Sequence, residues 1–224
     1  MCGRFVLMSV DKVVAEQFQI SGEPPIKARY NIAPSQPIAV VRVSADSAER
    51  ELKMLRWGLI PSWAKEKKIG YRMINARSET AAEKPAFRAA FKKRRCLIPA
   101  DGFYEWKREK GKKQKQPYFI RMKAGKPFAM AGLWERWKDP EGEVIESTTI
   151  MTTSPNELLS RLHDRMPVIL PPEAYETWLD PSMQTADRLK PLLRPYASDE
   201  MEAYEVSTRV NRPANDDPEC VEAM

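Results

Sequence analysis

The chain has 224 residues, which suits one large domain or two small ones and is long enough to bury a hydrophobic core. Hydrophobic residues make up 42% of the sequence and charged residues 30%; it has neither an apolar run of bilayer length nor the features of a signal peptide. Three scattered cysteines exclude a disulfide framework, and one histidine without a CxxC motif argues against a zinc site. The net charge of +6 favours an anionic partner. We therefore expect a protein of the reducing cytoplasm, without a membrane segment, a metal or a cofactor.

The first elements predicted along the chain are a helix and a series of strands. Apolar residues recur at helical spacing after Ser9, which predicts a capped helix that ends near Gln19. The residues of its apolar face are Val10, Val13, Val14 and Phe18. Segments rich in β-branched and aromatic residues and bounded by polar turns predict strands. These segments are 38–44, 51–61, 95–108, 116–123, 126–137 and 146–154.

The later part of the chain adds short helices. They are predicted over 83–95, after a capping box at 154–157, near Pro172 and near Ser182. In the first of them Phe87 and Phe91 stand four residues apart and share one face. The capping box consists of Ser154 and Glu157, with Pro155 at the first helical position.

The order of these elements predicts the fold class. Strands dominate the middle of the chain and helices flank it, without the alternation of strand and helix that builds a parallel sheet. We expect a single α+β domain of mostly antiparallel, open, barrel-like sheet with short flanking helices. The domain is expected to span 1–212, with a disordered C-terminal tail over 213–224.

The first reactive candidate is Cys2, in the opening segment MCGRF. Because the second residue is small, Met1 is expected to be removed, which would place an α-amine and a thiol on adjacent carbons of Cys2. Both groups titrate near neutral pH, at about 8 and about 8.5 in unperturbed form. The pair could close a thiazolidine on an aldehyde, or attack an amide with the amine as base. The alternative is that Cys2 is an incidental residue at a frayed terminus.

Three polar motifs lie further along the chain. Asn75 and Arg77 occur in INARSET, where they are site residues or a turn residue and a surface cation. Glu105 in DGFYEW lies either at a wet sheet edge or in a site where desolvation raises its pKa. His163 in SRLHDRMPVIL is either a structural hydrogen-bonding residue or a catalyst. The lysines of KREKGKKQKQ are expected at a solvated hairpin tip.

Aromatic residues offer a third kind of candidate. Trp57 and Trp63 bracket a glycine and a proline in LRWGLIPSWAK. Paired tryptophans belong to a core in most proteins, but beside Arg56 and Lys65 they also suit stacking on exposed bases.

Taken together, the motifs resemble one family. The segments MCGRF, YNIAPSQ, RWGLIPSW, INARSET, FRAAFKKRRCLIPADGFYEW, AGLWERW and TTSPNELLSRLHDRMPVIL are similar, in order, to the SOS-response-associated peptidase (SRAP) domain from Cys2 to about Arg212. The resemblance implies recognition of abasic sites in single-stranded DNA and their capture as a thiazolidine on Cys2 once Met1 is removed. It also implies that Asn75, Glu105 and His163 form the site with Cys2. The protein is expected to act as a monomer on nucleoid DNA.

The residues suit this chemistry. Glu105 or His163 would donate a proton to the ring oxygen of the closed sugar, and neutral Asn75 would orient Cys2 or the sugar. Arg4 and Arg77 are expected to bind flanking phosphates. The residues expected to stack on neighbouring bases are Trp57, Trp63 and Trp106.

Two other functions remain open from the sequence. N-terminal-nucleophile glutamine amidotransferases also begin with MCG and hydrolyse an amide with the same cysteine, although this chain lacks their glycine-rich loops. The other alternative is a single-stranded DNA-binding module without cysteine chemistry, and an intact Met1 would favour it.

Overall fold

The computed structural model describes residues 2–9, 11–21, 26–44, 47–108, 111 and 114–224. The strands, numbered in chain order, are β1 Phe5–Leu7, β2 Arg29–Ile32, β3 Pro37–Val43, β4 Arg50–Trp57, β5 Asn75–Arg77, β6 Arg95–Ala100, β7 Gly102–Lys107, β8 Gln116–Met122, β9 Phe128–Lys138, β10 Val144–Thr153, β11 Met166–Pro167, β12 Ile169–Leu170 and β13 Met201–Glu205. The α-helices are α1 Asp11–Phe18, α2 Arg88–Lys93, α3 Glu157–Ser160, α4 Tyr175–Leu179 and α5 Ala186–Leu189. None of the helices in these ranges is long and apolar enough to cross a membrane.

Five strands close into a barrel. In the ring β4–β3–β6–β9–β10 each strand pairs with the next, and β10 returns to β4 through a parallel pairing of Ser147 with Arg56. Closure leaves no free edge within the ring, so every backbone group of its strands can be paired. The four other pairings of the ring are antiparallel. Strand β5 lies outside the ring and also pairs with β10 in parallel. The predicted α+β class with mostly antiparallel, barrel-like sheet is confirmed.

A second, fully antiparallel sheet packs against the barrel in the order β13–β8–β7–β1–β2. Because side chains alternate across a sheet, its two faces have different neighbours. One face carries Phe5 and Phe103 into the main core shared with the barrel. The other face supports a smaller core, whose buried members are Val6, Tyr104, Phe119, Val206 and Val210.

The C-terminal segment differs from the expected disordered tail. Residues 213–224 lie over the outer face of the second sheet, where the Asp216 carboxylate accepts hydrogen bonds from the backbone of Tyr30 (2.5 Å) and Asn31 (2.9 Å). Cys220 is buried, and Ala223 forms a β-bridge with Val206. The tail is ordered by these long-range contacts, which its polar local composition does not reveal.

Two predicted caps also differ from the structure. Helix α1 spans Asp11–Phe18, and the Ser9 hydroxyl donates to the buried carboxylate of Asp101. Asn156, rather than Ser154, caps α3, because its side chain accepts from the backbone N–H of Leu159 at 2.9 Å.

The predicted helix boundaries and faces also need correction. In α1 Val14 is buried but Val13 is 40% exposed, and Val10 lies outside the described residues. Helix α2 covers only Arg88–Lys93 of the predicted 83–95, and the helix expected near Ser182 begins at Ala186. Local patterns place helix ends less well than helix centres, because the end depends on what the next residues contact.

A close backbone approach fixes the segment that leads into β5. Gly58 has φ +126°, and a Cβ placed there would lie 2.6 Å from the carbonyl oxygen of Gly70. The backbone N–H of Leu59 donates to Met73 at 3.1 Å, and that of Met73 donates to Gly70 at 3.0 Å. The chain before Asn75 is therefore held directly against the loop after β4.

Replacing Gly58 by alanine tests this contact. We expect Gly58→Ala to lower the free energy of unfolding by about 2 kcal/mol or more, because backbone strain and the clash with Gly70 add. This corresponds to a melting temperature lower by several degrees in thermal unfolding. Gly125→Ala is the matched control, since Gly125 has φ +65° but nothing within 4 Å of its added Cβ. Equal losses in both variants would show that the Gly58–Gly70 approach does not matter.

Candidate functional site

The candidate site forms where the start of the chain enters the second sheet. β1 pairs with β7 with Phe5 opposite Phe103, and the backbone N–H of Tyr104 donates to the Arg4 carbonyl at 3.0 Å. Extending this antiparallel register places Glu105 opposite Gly3, and the charge of Glu105 raises the pKa of the Cys2 thiol, so the two groups are neighbours. Cys2 is fully buried although it is the second residue of the chain.

Glu105 is the buried carboxylate of the site. It is 2% exposed, and burial is the main reason that its pKa rises from 4.5 to about 7. The charge of Asp164 raises this pKa further, whereas that of Lys115 opposes the rise. At neutral pH Glu105 is therefore present in both its acid and its base form, which suits proton transfer in either direction.

The thiol of Cys2 is held in its protonated form. Burial raises its pKa well above the ordinary value, and the neighbouring Glu105 charge raises it further. A hydrogen bond from the backbone of Arg4 to the sulfur acts in the opposite direction. A reaction at this sulfur therefore needs a group that accepts its proton, and Glu105 is the carboxylate whose charge acts on it.

Asn75 joins Cys2 to the barrel. Its position is set by β5, where Asn75 pairs with Ile150 of β10. Its side-chain amide donates to the Cys2 carbonyl at 2.9 Å. The Oδ1 atom of the same amide is buried and has no hydrogen-bond partner among the described residues. This atom is an acceptor that a bound group can use.

His163 follows α3. Its Nδ1 accepts from the backbone N–H of Arg165 at 3.0 Å and lies 2.8 Å from a carboxylate oxygen of Asp164. Burial lowers the pKa of His163 below its usual value, so the neutral ring is favoured at pH 7. The charges of Lys115 and Asp164 act on both His163 and Glu105, which places these two groups in one electrostatic neighbourhood. The four residues predicted as catalytic therefore belong to one region.

An ion pair that the sequence did not indicate connects two of the motifs. Arg165 donates to both carboxylate oxygens of Glu79, at 2.6 and 2.9 Å, and also to the Thr152 carbonyl at 2.7 Å. This hydrogen bonding lowers the pKa of Glu79. The INARSET segment, the end of β10 and the His163 loop are thereby held together. The signal was an acidic residue and an arginine in two separate motifs, whose pairing cannot be read along the chain.

Lys115 is a charge near the site that the sequence did not indicate. It belongs to the segment predicted as a solvated hairpin tip, of which residues 109–110 and 112–113 lie outside the described residues. Lys115 itself is exposed, but its charge acts on Glu105 and His163.

Of the predicted DNA contacts, Arg77 and Trp63 are accessible. Arg77 is exposed at the end of β5, two residues after Asn75. The Trp63 side chain is 58% exposed, with its indole N–H 3.3 Å from the Pro85 carbonyl.

Trp57 is a structural residue rather than a stacking platform. It is fully buried, its ring packs edge-on against Phe5 at 5.3 Å between centroids, and its indole N–H donates to the Ile74 carbonyl at 2.9 Å. No base can reach it. Since Ile74 directly precedes Asn75, this hydrogen bond helps to fix the position of Asn75.

Arg4 and Trp106 have a structural role that the sequence did not predict. They lie on the outer face of the second sheet, on the side opposite Glu105. Arg4 donates to Asn31 Oδ1 at 2.6 Å and to the Val210 carbonyl at 2.7 Å, and Trp106 donates to Asn211 at 2.7 Å. Both side chains anchor the C-terminal segment, and their contact with DNA stays a prediction.

No group of three or more His, Cys, Asp or Glu residues is arranged to hold a metal ion in the part of the chain that the structure describes. The reactive side chains of the candidate site are a thiol, a carboxyl, an amide and an imidazole.

Comparison with known proteins agrees with the fold and the motifs. The sequence pattern of the family described as SOS response associated peptidase (SRAP) matches residues 1–213. The chain is 50% identical over 226 residues to the abasic site processing protein YoqW of Bacillus subtilis (strain 168), with 100% of each chain covered. It is 41% identical over 204 residues to the abasic site processing protein HMCES of Xenopus tropicalis, covering 80% of this chain and 59% of that protein. A crystal structure of a protein from Bacteroides thetaiotaomicron, 29% identical, matches with a TM-score of 0.88 over 100% of both chains.

The raised pKa of Glu105 has a measurable consequence for stability. Between about pH 4.5 and pH 7 the folded state holds a proton that the unfolded state has released, so this group makes the protein less stable as the pH rises. The full effect, reached above pH 7, is on the order of 3 kcal/mol. Urea unfolding of Glu105→Gln should therefore show a variant that gains stability relative to the wild type between about pH 5 and pH 8. Glu141→Gln, at an exposed carboxylate, should show no such gain. A constant difference between wild type and Glu105→Gln over this range would contradict the raised pKa.

Proposed function

The chain belongs to the SOS response associated peptidase (SRAP) family, and we propose that it captures abasic sites in single-stranded DNA as a covalent adduct of Cys2. The observation that carries the proposal is the burial of Cys2 beside Glu105, a carboxylate whose pKa is about 7. The names of the two curated relatives, abasic site processing proteins, point to the same substrate.

Removal of Met1 supplies the first nucleophile. It converts the backbone nitrogen of Cys2 into an α-amine, which is partly unprotonated at neutral pH. The amine and the thiol are then carried by adjacent carbons of Cys2. Asn75 fixes the position of this residue through a hydrogen bond to its carbonyl. Holding both nucleophiles in one geometry removes most of the entropic cost of bringing them to the same carbon.

The reaction follows from the protonation states of the site. Protonated Glu105 donates to the ring oxygen of the abasic deoxyribose, the bond from that oxygen to C1′ breaks, and the C1′ hydroxyl releases its proton to solvent, which frees the C1′ aldehyde. The amine adds to C1′ and the aldehyde oxygen leaves as water, which gives an imine. The thiol then adds across the carbon–nitrogen double bond. Sulfur bonds to C1′, and its proton reaches the nitrogen by way of Glu105, which closes the five-membered thiazolidine ring.

Two further residues position the reacting groups. The buried Oδ1 of Asn75 is available to accept a hydrogen bond from the sugar or the amine. His163, whose Nδ1 is occupied by the Arg165 backbone, presents its other ring nitrogen as a donor when neutral. In the reverse reaction the thiazolidine has to be protonated before it opens, and the imidazolium form of His163 would supply that proton, because the N–H of a neutral imidazole is not acidic.

Single-stranded DNA is the proposed substrate because the sugar must reach a buried cysteine. In a duplex this requires extrusion of the nucleotide, whereas an unpaired strand presents the sugar at little cost. The exposed Arg77 suits a flanking phosphate, and the exposed ring of Trp63 suits a neighbouring base.

The covalent step is tested by intact mass. Protein whose mass confirms the loss of Met1 is mixed with an oligonucleotide that contains one abasic site. We expect a gain of one DNA strand, minus one water, in an adduct that survives heat and denaturant. Cys2→Ala, which retains the α-amine, should give no stable adduct. If the trimmed wild type gains no strand, the thiazolidine proposal is wrong and non-covalent binding remains.

Cys2→Ser separates the two nucleophiles. The serine retains the amine, but its hydroxyl rarely closes the ring, so the reaction should stop at the imine. An imine acidifies the C2′ proton, and loss of this proton to a nearby base such as Glu105 cleaves the strand by β-elimination. On denaturing gels the serine variant should therefore cut the abasic strand slowly, with an adduct trapped only by borohydride, whereas the wild type holds the strand uncut. A stable uncut adduct with Cys2→Ser would show that sulfur is not needed.

A further inference from the structure

A basic surface with an exposed aromatic ring lies outside the site described above. We call it the Tyr71 surface and define it by Arg56, Lys67, Lys68, Tyr71 and Arg72. These five residues, with Ile145, line a cavity of about 600 Å³. Lys68 and Arg72 also line the adjoining cavity of about 520 Å³, which contains Trp63. The two cavities thus share two cationic lining residues.

The charges of the Tyr71 surface are not balanced within it. Its cavity is lined by four cations, and none of the described residues that line it is a carboxylate; Glu66 lines the adjoining cavity. Clustered like charges repel one another, and a polyanion removes that repulsion on binding while it releases its own counterions.

Tyr71 adds a site for a flat ligand. Its side chain is 61% exposed, and the guanidinium of Arg56 lies 5.4 Å from the centre of its ring. Arg56 is itself held by a hydrogen bond to the Ser35 carbonyl at 3.0 Å. An exposed aromatic ring held beside an arginine is the arrangement on which unpaired bases stack, and the combination with four cations favours a nucleic acid strand over a simple anion.

The surface is linked to Cys2 through the chain segment that leads to Asn75. Arg72 precedes Asn75 by three residues, so their Cα atoms are at most about 11 Å apart. Asn75 binds the Cys2 carbonyl directly. Gly70, in the same segment, packs against the backbone of Gly58, which keeps the segment in place.

From these observations we propose that the Tyr71 surface binds the part of the DNA strand next to the abasic nucleotide, with phosphates on Lys67, Lys68 and Arg72 and one base against Tyr71. The position of this strand relative to Cys2 rests on the proposed function. The binding itself does not need the covalent chemistry.

Undamaged single-stranded DNA of about 20 nucleotides, labelled for fluorescence anisotropy, is the probe. Tyr71→Ser should weaken binding about tenfold through loss of base stacking. Lys68→Gln/Arg72→Gln should reduce the slope of log K against log salt concentration by about 1.4, the loss of two phosphate contacts on a single strand. The matched control is Lys123→Gln/Lys126→Gln, which removes the same charge at two exposed lysines that line a different cavity. The control should bind within about twofold of the wild type, and melting temperatures confirm that each variant is folded.

The outcomes separate this inference from the proposed function. If Tyr71→Ser binds as the wild type does and the two double variants have the same salt slope, the Tyr71 surface does not bind DNA. Covalent capture of a short abasic strand of about six nucleotides by the wild type tests the Cys2 chemistry by itself. Absence of that adduct together with a tenfold effect of Tyr71→Ser would reject the covalent chemistry and support the surface.

Discussion

The carboxylate of Glu105 is buried against the first residues of the chain, and the chemistry of the site depends on this one unfavourable burial. Desolvation raises the pKa of Glu105 to about 7 and makes it a proton donor and acceptor at neutral pH. The same environment keeps the Cys2 thiol protonated until it reacts. The site therefore loses folding stability at neutral pH in exchange for groups that can move a proton.

Residues of both sheets hold Cys2 in place. The second sheet places it through β1 and supplies Glu105 from β7. The barrel supplies Asn75, whose strand is fixed by β10 and by the bond from Trp57 to Ile74. Cys2 and Glu105 thus come from the second sheet and Asn75 from the barrel, so the complete site exists only when the two sheets are packed together. A terminus that would fray in isolation is buried in this way.

Exposed cations near the site offset the negative charge of Glu105 toward the proposed DNA partner. These cations lie on both sides of Asn75 along the chain, with Arg77 at the end of β5 and the Tyr71 surface on the segment that leads into β5. Arg165 is instead committed to Glu79, which fixes the loop that carries His163. The cations of this region therefore divide into those that hold the fold and those left open to an anionic ligand.

The sequence by itself determined the strand-rich fold class, the central strands and the residue types of the site, because side-chain periodicity and motif chemistry are local properties. Cys2, Asn75, Glu105 and His163 could be named for this reason, although their proximity could not. Only the tertiary structure decided that Trp57 is core, that the outer face of the second sheet takes Arg4 and Trp106, and that residues 213–224 are ordered. The physical reason is distance along the chain: Arg4 binds the carbonyl of Val210, 206 residues away, and no local pattern records such a contact. Burial and hydrogen bonding of this kind are set when the layers pack, and they override the preference that each residue has on its own.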